Sequence, residues 1–167
     1  IAVEKRPRFI GSDLEIAYLH VTGPYTGAYC KLLKLTGEIN EEFIGFGTYY
    51  DCPGEIPEEK LQSAVGIVIK VDGDFVTSDD LRSRLYALGL KTLKTKGVSK
   101  SLTTTRSLST VSMIIRSIQS TYFAVDDYVK KHGLPETVAV EFYEHGNMII
   151  HIPLDGQEQF IVPEAKK

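Results

Sequence analysis

Three residues near the C-terminus, Glu141, Tyr143 and His151, have the chemistry of a binding or proton-transfer site. Their spacing belongs to a β-hairpin. The turn Glu144-His145-Gly146 suits a three-residue loop with Gly146 in the left-handed position. That loop predicts Tyr143 opposite Asn147, Glu141 opposite Ile149 and Ala139 opposite His151. One face then carries Val138, Val140, Phe142, Met148, Ile150 and Ile152, all apolar, and is the face that helices cover. The other carries Ala139, Glu141, Tyr143, Asn147, Ile149 and His151, a mixed surface able to line a cleft. A carboxylate half-buried beside a phenol has a raised pKa and can hold a cation or act as a general base. The pattern equally describes a solvated strand carboxylate, or one paired with a lysine. His151 reads either as a proton shuttle or pH-sensitive binder beside Glu141, or as a hydrogen-bonded structural histidine.

The elements that position these side chains follow from periodicity and punctuation. Leu14–Val21 alternates as a strand, and Gly23-Pro24 then opens a helix with Tyr25, Ala28, Tyr29, Leu32 and Leu35 on one stripe. Phe43–Tyr50 and Ser63–Val71 are strands on either side of the acidic Pro/Gly loop Asp51–Glu59. Ser78, Asp79 and Asp80 start a short helix carrying Leu81, Leu85 and Leu88, which Gly89 closes. Leu90–Lys96 and Leu102–Arg106 are strands. A helix capped by Ser109 carries Val111, Ile114, Ile115, Ile118, Tyr122, Val125 and Val129, and stops at Gly133-Leu134-Pro135. Thr137–Tyr143 and Asn147–Leu154 form the hairpin.

Strand, helix, strand, strand thus occurs twice, in residues 14–71 and 90–154, with a strand-like tail at 159–164. Thr48-Tyr49-Tyr50-Asp51 and Glu141-Phe142-Tyr143-Glu144 hold equivalent places. The expected fold is α+β: one domain over residues 1–167, a duplicated unit, an antiparallel sheet, and two long helices on one face. The repeat places Phe46, Thr48, Tyr50, Ala64 and Gly66 on the cleft side. The candidate ligand-binding set is therefore Phe46, Thr48, Tyr50, Glu141, Tyr143 and His151, with Ala64 and Gly66 leaving room between the aromatics. No phosphate loop, nucleotide fingerprint or nucleophile elbow occurs, and Gly45-Phe46-Gly47 lacks the third glycine and lies inside a strand. The four histidines have no metal-ligand spacing, so no metal, cofactor or catalytic residue is assigned.

Tyr18-Leu19-His20-Val21-Thr22-Gly23-Pro24-Tyr25 resembles the signature of the GyrI-like small-molecule-binding superfamily. Gly47-Thr48-Tyr49-Tyr50-Asp51-Cys52-Pro53, the segment Ile56–Gly66 and the ending Phe160-Ile161-Val162-Pro163-Glu164 look like the testis-expressed endoplasmic-reticulum-phagy receptor family within it. The resemblance spans Leu14 to Glu164. It implies a non-enzymatic binding or adaptor domain with a GyrI-type cleft, in the cytoplasm or on the cytosolic face of the endoplasmic reticulum. The membrane anchor and autophagy-binding tail of such receptors would lie outside residues 1–167. Tyr122-Phe123-Ala124-Val125 matches an aromatic-x-x-aliphatic autophagy motif, but Tyr122 and Val125 sit on the apolar stripe and read as core. Where superfamily members place a glutamate in the last strand, this chain has Ile149, before Ile150-His151-Ile152-Pro153. Glu141 is the residue expected to supply a carboxylate from the adjacent strand.

The 167 residues are 43% hydrophobic and 25% charged, which excludes a wholly disordered or collagen-like chain. The apolar runs are too short to span a membrane. Cys30 and Cys52, with no metal-like spacing, could form one disulfide, but in a chain with an adequate core they read rather as free thiols of a reducing compartment. The net charge is −3, yet residues 81–125 hold eight of the 19 basic side chains and none of the 22 acidic ones. An anionic membrane surface or an acidic protein partner would meet that stretch. Nucleic acid would not, because exposed aromatics are not interleaved with the basic residues. Three functions follow, in order: a receptor-type adaptor; a protein that binds or sequesters small aromatic or cationic molecules; and a hydrolase of strained electrophilic rings, which the absent Trp and Ile149 disfavour.

Overall fold

The computed structural model describes residues 2–108, 122–134 and 138–165. Nine strands form one sheet: β1 (Ala2–Lys5), β2 (Leu14–Thr22), β3 (Gly45–Tyr49), β4 (Gln62–Val71), β5 (Asp74–Phe75), β6 (Lys91–Thr95), β7 (Lys100–Ser107), β8 (Ala139–Glu144) and β9 (Asn147–Pro153). Three helices accompany them: α1 (Tyr25–Thr36), α2 (Asp79–Ala87) and α3, described over 122–131. The strand order is β1-β7-β9-β8-β3-β4-β2-β6, with β5 added beside β4, and every pairing between these strands is antiparallel. The architecture is α+β, as expected. The short edge strands β1 and β5 were not anticipated. The first half of the expected long helix, from Ser109, lies outside the described residues.

Local chemistry explains the helix boundaries. α1 starts after Pro24 and ends where the Gly37 N–H donates to the Leu33 carbonyl. At α2 the Ser78 hydroxyl accepts from the Leu81 N–H at 3.1 Å, and Asp79 and Asp80 occupy the first turn. Leu81 and Leu85 are buried, but Leu88, expected on the same stripe, is 65% exposed because it falls beyond the last helical turn. Glycine is required at position 66. A Cβ there would lie 1.8 Å from the Ala17 carbonyl oxygen, where Gly66 pairs with Tyr18 of β2. The space expected beside Gly66 is thus filled by neighbouring backbone.

All three helices pack on one face. Ala28 and Leu32 of α1 meet Val21, Val65 and Ile150; Leu81 and Leu85 of α2 meet Ala17, Ile67 and Ile69; Val125 of α3 meets Leu102, Ala139 and Ile152. The opposite face is covered as well. Phe9 and Ile10 from the N-terminal segment and Phe160, Val162 and Ala165 from the C-terminal segment pack on Tyr18, Phe46, Val140 and Phe142. The tail is not strand-like: Gln157–Phe160 and Pro163–Ala165 are short 3-10 turns. Tyr50 holds it in that form, donating to the Phe160 carbonyl at 2.9 Å and accepting from the Val162 N–H at 3.3 Å.

The hairpin register departs from the expected one by a single residue. His145 and Gly146 both have positive φ, 49° and 72°, which makes a two-residue turn pairing Glu144 with Asn147. Tyr143 therefore faces Met148, Glu141 faces Ile150 and Val140 faces His151. Because side chains alternate with period two, the slip turns the opposite face of β8 to the helices. Met148, Ile150 and Ile152 join Glu141 and Tyr143 under the helices, while Ile149 and His151 join Val140 and Phe142 on the opposite side.

Candidate ligand-binding site

The centre of the helix-covered face is polar. β3 and β8 lie side by side there, with Gly45 opposite Tyr143 and Gly47 opposite Glu141. The two glycines make room for phenol rings. A Cβ at Gly45 would lie 3.1 Å from Tyr143 Cβ, and one at Gly47 would lie 3.1 Å from the Tyr49 hydroxyl. The sequence Gly45-Phe46-Gly47 is thus a pair of gaps on one face of a strand, spaced by the pleat.

Into that room project Glu141 and the tyrosines. Glu141 is 1% exposed. The Tyr122 hydroxyl, from the start of the described part of α3, donates to its Oε1 at 2.8 Å, and the Tyr143 hydroxyl donates to its Oε2. The hydroxyls of Tyr49 and Tyr143 are 3.2 Å apart, extending the chain of phenols to β3. From α1, the Tyr25 ring stands edge-on to Tyr49 at 4.8 Å, and the Tyr29 ring is 6.0 Å from Tyr143. Tyr25 is itself anchored, donating to the Asp51 carbonyl at 2.7 Å and accepting from the Asp51 N–H at 2.9 Å.

Electrostatics follow from this packing. Burial pushes the Glu141 carboxyl up from its usual range, and hydrogen bonds from Tyr143 and Tyr122 oppose the rise. The phenols of Tyr49, Tyr122 and Tyr143 lie well above their ordinary value, through burial first and the neighbouring carboxylate second. The phenols are therefore neutral donors. Among the described residues no lysine, arginine or histidine pairs with Glu141, and its hydrogen-bond partners are uncharged. A carboxylate framed by aromatic rings and neutral hydroxyls suits an organic cation, which supplies the missing charge and gains from the ring faces.

Of the six residues expected to line a cleft, the structure brings together only Glu141 and Tyr143. Phe46, Thr48, Tyr50 and His151 lie on the other face of the sheet, because the register at the hairpin carries Glu141 and Tyr143 to the helix-covered side. Phe46 packs edge-on to Phe142 at 5.9 Å. Thr48 is fully buried, and Tyr50 clamps the C-terminal segment. His151 Nδ1 lies 3.0 Å from the Thr103 hydroxyl and 3.2 Å from that of Ser101, and Nε2 has no partner among the described residues. Burial lowers its pKa to about 4, so it is a neutral structural imidazole and not a shuttle beside Glu141. Tyr25, Tyr29, Tyr49 and Tyr122 were missed as site residues. Their signals were the i, i+4 pair in α1, the consecutive tyrosines of β3, and an aromatic on an otherwise aliphatic helical stripe. Val125 is buried behind Tyr122, in keeping with the core reading of residues 122–125, while Phe123 is 76% exposed.

A groove of about 290 Å³ opens beside this cluster, between α1, the segment leading into β3 and the β8–β9 turn. Tyr29, Leu32, Leu33, Phe43 and Tyr143 line it, together with Glu41 and Glu42.

The basic stretch is largely matched by carboxylates from elsewhere. Arg82 meets Asp79, Arg84 meets Glu38 at 3.9 Å, Lys91 meets Glu164 at 2.5 Å, Lys94 meets Glu15 at 4.0 Å and Lys96 meets Asp13 at 2.8 Å. Cys30 and Cys52 are free and exposed. Among the described residues no group of His, Cys, Asp and Glu could hold a metal ion, and no helix is long and apolar enough to cross a membrane.

Comparison with known proteins leaves the site to speak for itself. No family model matches the chain, and no curated protein does. Among solved structures, the chain is similar to an uncharacterized conserved protein from Listeria innocua, at 8% identity and a TM-score of 0.48, over 91% of this chain and 90% of that one.

Proposed function

We propose that this is a GyrI-like, non-enzymatic binding domain that takes a small aromatic cation at the Glu141–tyrosine cluster. The sheet supports the duplicated architecture. Order β2-β4-β3 in the first half and β7-β9-β8 in the second meet at β3 and β8, each half with its helix between the first and second strands in chain order. The site lies where the halves meet. One observation carries the functional reading: a carboxylate 1% exposed whose described partners are all neutral phenols. Burial without a countercharge is unfavourable, and a bound cation relieves it. The same burial, which keeps bulk water from the carboxylate, favours binding over ring hydrolysis. The receptor-type adaptor reading ranks second, since five of the eight cations it would present to a membrane or an acidic partner already face carboxylates.

Isothermal titration with benzyltrimethylammonium tests the reading, with a neutral isostere of the same shape as control. The wild-type protein should bind the cation in preference to the neutral compound. Glu141→Gln, which keeps the shape and one of the two hydrogen-bond acceptors, should weaken the cation by about thirtyfold, the lower end of what removing one member of a buried charge pair does. Equal binding by a folded Glu141→Gln protein would refute the proposal.

A further inference from the structure

We infer that the cation and a proton compete for Glu141: in the free protein a proton on the carboxyl keeps the site neutral, and each cation that binds releases it. The inference rests on the cation-binding reading of Glu141 and adds the regulation of that site, whose affinity is then set by pH.

The geometry leaves few ways to neutralise this carboxyl. Glu141 is 1% exposed, so bulk water does not screen its charge. The titratable groups that face it are all phenols: Tyr143 from its own strand, Tyr49 from β3, Tyr122 from α3 and Tyr29 from α1, with Tyr25 behind Tyr49. Its neighbour across β9 is Ile150 and across β3 is Gly47, neither of which titrates. The charged groups at the β8–β9 turn are engaged with one another, Arg8 with Glu144 and His145 with Glu42 at 3.6 Å. A buried acid with no countercharge takes up a proton instead. The upward push that burial gives the Glu141 carboxyl agrees with this.

The phenols accommodate both forms. On the ionised carboxylate Tyr122 donates to Oε1, Tyr143 donates to Oε2, and Tyr49 can donate to Tyr143 across 3.2 Å. A proton added at Oε2 turns that chain round, so that Glu141 donates to Tyr143 and Tyr143 donates to Tyr49. Oε2 is the oxygen that takes it, because Tyr143 has an onward acceptor in Tyr49, whereas no second hydroxyl partner of Tyr122 is among the described residues. The change needs only rotation of phenolic O–H bonds. When a cation binds, the Glu141 O–H bond breaks, the proton leaves to solvent, and the carboxylate keeps the electron pair facing the cation.

Benzyltrimethylammonium has a permanent charge and no ammonium proton, so a proton released on its binding comes from the protein. Calorimetry in two buffers of different ionisation enthalpy counts those protons. Below the titration midpoint of Glu141 in the free protein, about one proton should leave per cation, and affinity should fall about tenfold for each pH unit. Above the midpoint, release should stop and affinity should level off. The carbon-13 resonance of the labelled Glu141 carboxyl, assigned by its absence from Glu141→Gln, reads the midpoint directly, and saturating cation should lower it by about one pH unit or more. His145 and the other titrating groups remain in Glu141→Gln, whose residual affinity should show no break at that pH. A Glu141 midpoint at the ordinary 4.5 in the free protein, or one that saturating cation leaves unmoved, would overturn the inference. Cation binding still weakened by Glu141→Gln would then leave the binding reading standing. Failure of the cation to bind at any pH would overturn both.

Discussion

The buried imidazole of His151 predicts a specific acid sensitivity. Its ring is fully buried, with Nδ1 on the hydroxyls of Thr103 and Ser101, the Phe142 ring edge-on at 5.8 Å, and Nε2 without a partner among the described residues. Protonation would put a charge there with no carboxylate among the described residues to meet it, and burial lowers the pKa from 6.5 to about 4. As pH falls through 6.5 the unfolded chain takes up the proton, whereas the folded protein does so only near 4. Stability tied to this residue is therefore whole above about pH 6.5, declines as pH falls, and stops declining below about pH 4. At about 1.4 kcal/mol per pH unit, that interval corresponds to about 3 kcal/mol. The chain has nine Tyr and no Trp, so tyrosine fluorescence or circular dichroism can follow urea unfolding. Wild type and His151→Gln should be compared near neutrality and again at about pH 4.5, where the expected change in their stability difference is about 2.5 kcal/mol. Other titrating groups cancel in that difference, and a constant offset from the substitution is immaterial. A difference that does not move with pH would refute the reasoning. So would a proton-resonance titration of His151 with its midpoint near 6.5, a measurement that needs no variant.

Two further substitutions probe the sheet and the site. Because burial raises the Glu141 carboxyl, the folded protein holds that proton after the unfolded chain has released it. The associated stability is present at acid pH and is lost as pH rises through the folded value, so thermal melts of Glu141→Gln should show a flatter decline toward alkaline pH than wild type, whereas parallel profiles would contradict the burial argument. Gly66→Ala drives a methyl into the Ala17 carbonyl and should destabilise the protein by about 3 kcal/mol in urea unfolding; a loss within experimental error would mean that β2 and β4 can separate there.

The helix boundaries and most strands were legible in the sequence because their causes are local. Ser78 before two aspartates, Pro24 before an apolar stripe, and alternation through Leu14–Thr22 each act within a few residues. The carboxylate and one phenol of the site, Glu141 and Tyr143, were legible too, as polar residues recurring with period two in an otherwise apolar strand. Which way they faced was not. A three-residue loop and a two-residue turn at His145-Gly146 suit nearly the same sequence, and the choice decides which face of β8 lies beside each face of β9.

Tertiary structure made that choice, for a reason no single strand contains. Both faces of the central strands are apolar enough to bury, so alternation alone cannot say which lies under helices and which under the chain termini. The terminal segments decide it by placing Phe9, Ile10, Phe160 and Val162 against Phe46 and Phe142, which closes the side where a cleft was expected. Tyr25, Tyr29, Tyr49 and Tyr122 then converge on Glu141 from α1, β3 and α3. The sequence by itself determined which residues could form a binding site; only their long-range packing determined which of them share one.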